Sequence, residues 1–127
     1  MYTALNCTNV NIKRLEDDFF PKSYQGLKYL KISNSSLTSL EDDAFDQLTN
    51  LEVLILSFNL IQKLDSKLFI NLRKLKILDL SNNKLKALTA EGLFTSQDNL
   101  VTLLLSSNNL ITLNVETLKP LTSLKKM

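Results

Sequence analysis

The sequence predicts an α/β solenoid, with short parallel strands on one side and mostly irregular chain on the other, wound from units of about 24 residues. Three observations predict it. First, the stretch from Leu51 to Leu72 places apolar residues at Leu51, Leu54, Leu56, Ile61, Leu64, Phe69 and Leu72, with Asn59 in the middle of the frame. Leu54 and Leu56 are two apart, as in a strand whose alternate side chains face one core. The later positions fall at wider intervals, as a chain does when it turns and comes back. Second, the same frame recurs along the chain. Third, the unit starts Leu27, Leu51, Leu75, Leu100 and Leu124 are spaced by 24, 24, 25 and 24 residues.

In order, residues 1–26 form a divergent first unit or cap edge (Leu5, Cys7, Ile12, Leu15, Phe20), with Val10 at the Asn position. Unit 27–50 carries Leu27, Leu30, Ile32, Leu37, Leu40, Phe45 and Leu48, with Ser35 in place of Asn. Unit 51–74 is the template. Unit 75–99 carries Leu75, Leu78, Leu80, Asn83, Leu85 and Leu88, and one extra residue then delays the aromatic to Phe94. Unit 100–123 carries Leu100, Leu103, Leu105, Asn108, Leu110, Leu113, Leu118 and Leu121, and residues 124–127 open a truncated unit. One unit cannot bury its leucines alone, so residues 1–127 are expected to stack as a single repeat domain with nearest-neighbour interfaces. Asn59, Asn83 and Asn108 are expected to point inward where the backbone leaves the strand ladder. There the backbone has unpaired polar groups, and an amide both donates and accepts, so an Asn stacked on the Asn of the next turn can satisfy them. Phe20, Phe45, Phe69 and Phe94 are expected to stack as a spine on the opposite, convex side.

Composition narrows the function classes. Leu supplies 29 of 127 residues while Gly and Pro supply two each, which excludes linker-like or low-complexity character. A net charge of +2 gives no argument for nucleic acid or an anionic membrane. No apolar run approaches the roughly 20 residues of a membrane span, and the start, M-Y-T-A-L-N-C-T, lacks the regions of a signal peptide. With no His and a single Cys, zinc sites and Ser-His or Cys-His catalysis are excluded on inventory, so neither a metal nor an enzyme is expected.

The pattern L-x-x-L-x-L-x-x-N-x-L inside this period resembles the leucine-rich repeat family. The unit with Phe near its end, as in E-D-D-A-F-D-Q-L-T-N-L, is similar to the extracellular typical class, which includes Toll-like receptor ectodomains and secreted insect leucine-rich immune proteins. The resemblance implies a curved right-handed horseshoe segment with its parallel sheet on the concave face and turn or 3-10 structure on the convex one. It also implies a non-catalytic module without cofactor, in innate immunity or adhesion, binding a protein ligand or co-receptor outside the cell. Solenoids need polar caps, and neither end here supplies one, so the chain is expected to be part of a longer array. The alternative function is an assembly solenoid that self-associates through its uncapped end. Cys7 occupies an inward strand slot, where the expectation is a buried small hydrophobe; in extracellular relatives such a Cys often joins a disulfide-bonded cap.

The outward strand positions are the candidate binding surface: Tyr29, Lys31 and Ser33; Val53, Ile55 and Ser57; Ile77, Asp79 and Ser81; Thr102, Leu104 and Ser106, preceded by Ala4, Asn6 and Thr8. Tyr29, Val53, Ile55, Ile77 and Leu104, with Phe58 beside them, are expected to form an apolar interaction patch, although β-branched residues also suit strands for structural reasons. Glu16-Asp17-Asp18 and Glu41-Asp42-Asp43 are in identical register and are expected to make an acidic ridge continued by Asp65. That ridge is either solvated exterior or a cation or docking site. The sequons Asn6-Cys7-Thr8 and Asn34-Ser35-Ser36 place candidate glycosylation sites on or beside the strand face, in the number (about two) that this composition gives by chance.

Overall fold

Alternation of an inward leucine with an outward residue, repeated once per turn, makes the strands. The computed structural model describes residues 2–127. In chain order the elements are β1 (Ala4–Thr8), β2 (Arg14–Leu15), a 3-10 turn (Lys22–Tyr24), β3 (Tyr29–Ser33), β4 (Ser39–Leu40), β5 (Val53–Ile55), β6 (Ile77–Asp79), β7 (Ala87–Leu88), β8 (Thr102–Leu104), β9 (Thr112–Leu113) and α1 (Val115–Leu118). The main sheet is parallel, five-stranded and ordered β1-β3-β5-β6-β8, so each strand pairs with the strand one turn away. Its register puts Leu5, Leu30, Leu54, Leu78 and Leu103 side by side. A bridge between Thr102 and Lys126 continues the sheet into the last unit.

Two short parallel ladders, β2-β4 and β7-β9, lie on the flank and were not expected from the leucine spacing. They are interrupted between them: Gln62, Lys63 and Leu64 make no backbone hydrogen bond to either neighbouring turn. The turn that follows is the one lengthened by a residue. It contains Gly92 at φ +81°, a left-handed conformation that a side chain tolerates poorly.

The interior is a continuous column of leucines. Both inward strand positions are fully buried from β3 to β6 (Leu30, Ile32, Leu54, Leu56, Leu78, Leu80), as are the unit-opening Leu27, Leu51, Leu75 and Leu100. On the far side the four phenylalanines stack, with ring centroids 6.2 Å apart for Phe20–Phe45, 6.4 Å for Phe45–Phe69 and 6.2 Å for Phe69–Phe94. Interplanar angles fall from 27° to 11° to 1° along the spine. Each such pair adds about 0.5–1.5 kcal/mol beyond burial. The convex chain is turns, one 3-10 turn and the four-residue α1. Asn114 caps α1 by accepting from the Glu116 N–H at 3.0 Å.

The asparagines act through backbone. The Asn59 side chain accepts from the N–H groups of Ser35 (3.1 Å) and Leu37 (3.2 Å), and donates to the carbonyls of Ile32 (2.7 Å), Leu56 (3.0 Å) and Ser57 (3.2 Å). Asn83 accepts from Ile61 N–H and donates to the Leu56, Leu80 and Ser81 carbonyls. Asn108 repeats this one turn later with Leu85, Leu80, Leu105 and Ser106. As expected, the amides satisfy backbone groups where the chain leaves the strands: each bridges its own turn to the backbone of the preceding one. At the shorter Ser35 the hydroxyl accepts from Val10 N–H at 3.3 Å and lies 3.0 Å from the Cys7 carbonyl, while Val10 itself is exposed.

Among the buried polar residues that the leucine frame missed, Gln97 is the most deeply enclosed. Gln97 stands three residues before Leu100, where the other units have Leu48, Leu72 and Leu121, and is completely buried. Its Nε2 donates to the carbonyls of Phe69 (2.6 Å) and Leu72 (3.1 Å), but its Oε1 has no partner. Those carbonyls also accept from Leu72 and Leu75 N–H groups, so they lose little without the amide. Gln97→Leu is therefore expected to stabilise the fold by about 1 kcal/mol, by removing a desolvated acceptor. Urea unfolding with an unchanged far-UV spectrum is the check, and a lower midpoint would show that the amide bonds matter more.

Candidate recognition surface on the strand face

The register aligns the outward side chains into two rows. Tyr29, Val53, Ile77 and Thr102 form one; Lys31, Ile55, Asp79 and Leu104 form the other. Neighbouring strands in a sheet lie about 4.8 Å apart, so adjacent side chains shield one another. Ile77 is exposed, and the other seven are half-buried. The apolar patch is thus present but flatter than a set of free side chains. At its centre Val53 stands between Tyr29 and Ile77, and Ile55 stands between Lys31 on one strand and Asp79 on the other. Asp79 Oδ1 accepts from Ser81 N–H (2.9 Å) and hydroxyl (2.6 Å), which fixes that carboxylate in place. On the strand-entry side, Lys76 and Glu52 pair at 2.9 Å, and the Lys76 hydrogen bond, with further help from Lys28 and Lys74, lowers the Glu52 pKa.

The third outward position departs from expectation. Ser33 and Ser57 are buried: Ser33 Oγ donates to the Ser57 carbonyl at 2.9 Å and lies 3.3 Å from Ser57 Oγ. Ser33 is the last residue of β3 and Ser57 lies just past the end of β5; there the chain leaves the sheet, and a small hydroxyl follows it inward. Ser81 is half-buried and Ser106 exposed.

Phe58 is not on the strand face. It lies after β5, in a turn position that has a left-handed backbone in every unit: Asn9 (φ 61°), Asn34 (50°), Phe58 (56°), Asn82 (55°) and Ser107 (55°). Asn and Ser there suit the conformation through short polar side chains, whereas a left-handed backbone costs an ordinary L-residue about 1–2 kcal/mol. Phe58 combines that strain with 58% exposure. Leu60, also exposed, lines with Phe58, Asn34 and Asn82 a shallow depression of about 280 Å³. The signal that could have shown this row is the Asn at positions 9, 34 and 82, next to the ladder position.

The remaining candidates are placed as follows. Asn6 is exposed on β1, with its Oδ1 accepting from the Thr8 hydroxyl; Asn34 is exposed in the turn, with its amide donating to Asn9 Oδ1. Cys7 is a free thiol, half-buried against the core, and burial pushes its pKa up, away from thiolate chemistry. In the acidic ridge the carboxylates of Asp17, Glu41 and Asp43 converge within 4.8 Å of one another, with Arg14 3.5 Å from Glu41. Burial, then Asp43 and Asp42, raise the Asp46 pKa behind them. These groups are exposed or half-exposed, as in a solvated flank. Among the described residues no helix is long and apolar enough to cross a membrane.

The comparisons agree with this geometry. Lumican of Coturnix japonica is 33% identical over 72 residues, which is 55% of this chain and 20% of that protein. The structure of the Toll–Spatzle complex, described as a hub in Drosophila development and innate immunity, superposes with a TM-score of 0.89 at 27% identity, over 97% of this chain and 16% of that one. A TLR13–ssRNA13 complex gives 0.80 at 31% identity (86% and 15%), and an LRIM1/APL1C complex 0.85 at 27% (92% and 22%). The chain thus spans roughly a fifth or less of these relatives. The family model described as "Leucine rich repeat" matches residues 3–61 and 49–93. With most of the chain covered by that model and the solenoid formed as the repeat requires, the protein belongs to the leucine-rich repeat family.

Proposed function

We propose that this chain is a non-catalytic, extracellular protein-recognition module of the innate-immune type, which binds a protein partner across the concave strand face. The observation that carries the reading is the pair of in-register rows, with an apolar centre in which Val53 stands between Tyr29 and Ile77 and Ile55 between Lys31 and Asp79. An apolar centre with a polar rim is the anatomy of a protein interface. The relatives support it: the Toll–Spatzle and LRIM1/APL1C structures are complexes between proteins. The TLR13 structure holds single-stranded RNA, but RNA backbones need a track of cations. Within the two rows here Lys31 is the one cationic residue.

Ile55→Asp places a charge at the centre of the patch, and Tyr29→Ala removes its largest side chain. Either is expected to weaken binding of a partner captured from the extracellular fraction by 100-fold or more, about 2.7 kcal/mol. Far-UV circular dichroism should be unchanged and a Lys67→Ala control on the outer side should bind normally. Wild-type affinity in the double variant would refute the concave-face assignment, and equal affinity for a single-stranded RNA probe would refute the choice of protein as partner.

A further inference from the structure

We propose that Asn34 carries an N-linked glycan whose first sugar lies over the ring of Phe58. Four observations converge on it. Asn34-Ser35-Ser36 is a sequon, and the Asn34 side chain is exposed. Asn34 and Phe58 occupy the same turn position one repeat apart, and the Asn34 N–H reaches the Ser57 carbonyl at 3.4 Å, so the two are immediate neighbours. Both line one depression of about 280 Å³, whose other side carries Asn82 and Lys84. Phe58 is the one aromatic in a row otherwise made of Asn and Ser, and it is 58% exposed with no aromatic partner among the described residues.

The chemistry of a pyranose fits this site. Its C–H face is apolar and would cover the Phe58 ring, while its hydroxyl edge and N-acetyl group would meet the donors of Asn82 and Lys84. The depression is close to the lower bound of about 300 Å³ for small-ligand clefts, enough for a single ring. The transfer needs a lipid-pyrophosphate-linked oligosaccharide as co-substrate. A bond forms between Asn34 Nδ2 and sugar C1, the C1–O bond to the pyrophosphate breaks, and the proton lost by the amide leaves with the pyrophosphate. One N–H remains on Nδ2, sufficient for its hydrogen bond to Asn9 Oδ1. Asn6 has no such neighbour, since the residue in register with it on the next strand is Lys31.

This inference rests on the extracellular reading above, and the experiment separates the two. The full chain is expressed through the secretory pathway behind a cleavable leader, as wild type and as Asn34→Gln, each with and without Phe58→Ala. Intact mass before and after peptide N-glycosidase should show one glycan fewer in Asn34→Gln. Phe58→Ala should lower the Tm by ~3 °C when Asn34 carries its sugar and by less than ~1 °C in the Asn34→Gln background. An unmodified Asn34 in the secreted chain, or equal Tm losses in both backgrounds, overturns the proposal; equal losses would leave Phe58 to a protein partner. Native protein without the sugar, beside a modified secreted chain, overturns the extracellular reading.

Discussion

Asn59→Leu is expected to destabilise the fold by about 4 kcal/mol, a large part of the 5–15 kcal/mol that holds a domain together. The leucine shares the asparagine's branching at Cγ, is somewhat bulkier and carries no polar atom. Ser35 and Leu37 would lose the acceptor for their N–H groups, and the Ile32 carbonyl the 2.7 Å donor, all in the buried interior. Each orphaned group costs roughly 1–3 kcal/mol. Leu56 and Ser57 lose less, because their carbonyls also accept from Asn83 and the Ser33 hydroxyl. The effect should be graded along the ladder. Asn83 takes one N–H, from Ile61, and Asn108 takes one, from Leu85, at a half-buried site. Chemical denaturation of the three Leu variants should therefore rank Asn59 above Asn83 above Asn108. Equal losses would mean that the amides act by volume alone.

That ranking could not have been read from spacing, and the reason marks where sequence legibility ends. The period located most inward leucines, the phenylalanine spine and the outward rows, because stacking forces identical offsets into identical environments; it passed over the buried Leu68 and Leu93 and counted as inward Leu113, which is exposed. It could not tell what an offset does when its residue changes chemistry. Ser35 at an Asn slot still reaches Val10 and Cys7, whereas Val10 at the same slot simply turns to water. Gln97 in a leucine slot is buried because its neighbours' geometry is already set, and the cost falls on its unpartnered Oε1. Ser33 and Ser57 alternate correctly with the leucines, yet both are buried, because they stand where the chain leaves the sheet, Ser33 as the last residue of β3 and Ser57 just past β5. The left-handed row through Phe58 was hidden for the same reason: alternation describes an extended chain, and at that point the chain is no longer extended.

Phe69→Ala is expected to cost about 4 kcal/mol, within the range for truncating a buried aromatic, and to loosen the strand face from behind. Phe69 is fully buried and stacks on both Phe45 and Phe94, so its loss opens a cavity shared by two inter-turn interfaces. In a solenoid, stability is the sum of such interfaces. Phe20→Ala, at the first unit, removes contact with Phe45 alone along the spine and should cost less. The spine also sets shape. Its rings are spaced by 6.2–6.4 Å, whereas paired strands lie about 4.8 Å apart, so each turn is a wedge that is wider on the phenylalanine side. That wedge makes the strand face concave. Removing the central ring lets turns 51–74 and 75–99 close on the convex side, which flattens the rows holding Val53, Ile55, Ile77 and Asp79. Amide exchange should therefore quicken in β5 and β6 at conditions where the variant remains folded, and partner affinity should fall more for Phe69→Ala than for Phe20→Ala. A Phe69→Ala protein that loses less than ~1 kcal/mol, or exchanges no faster in those strands, would remove the spine from any role in shaping the recognition surface.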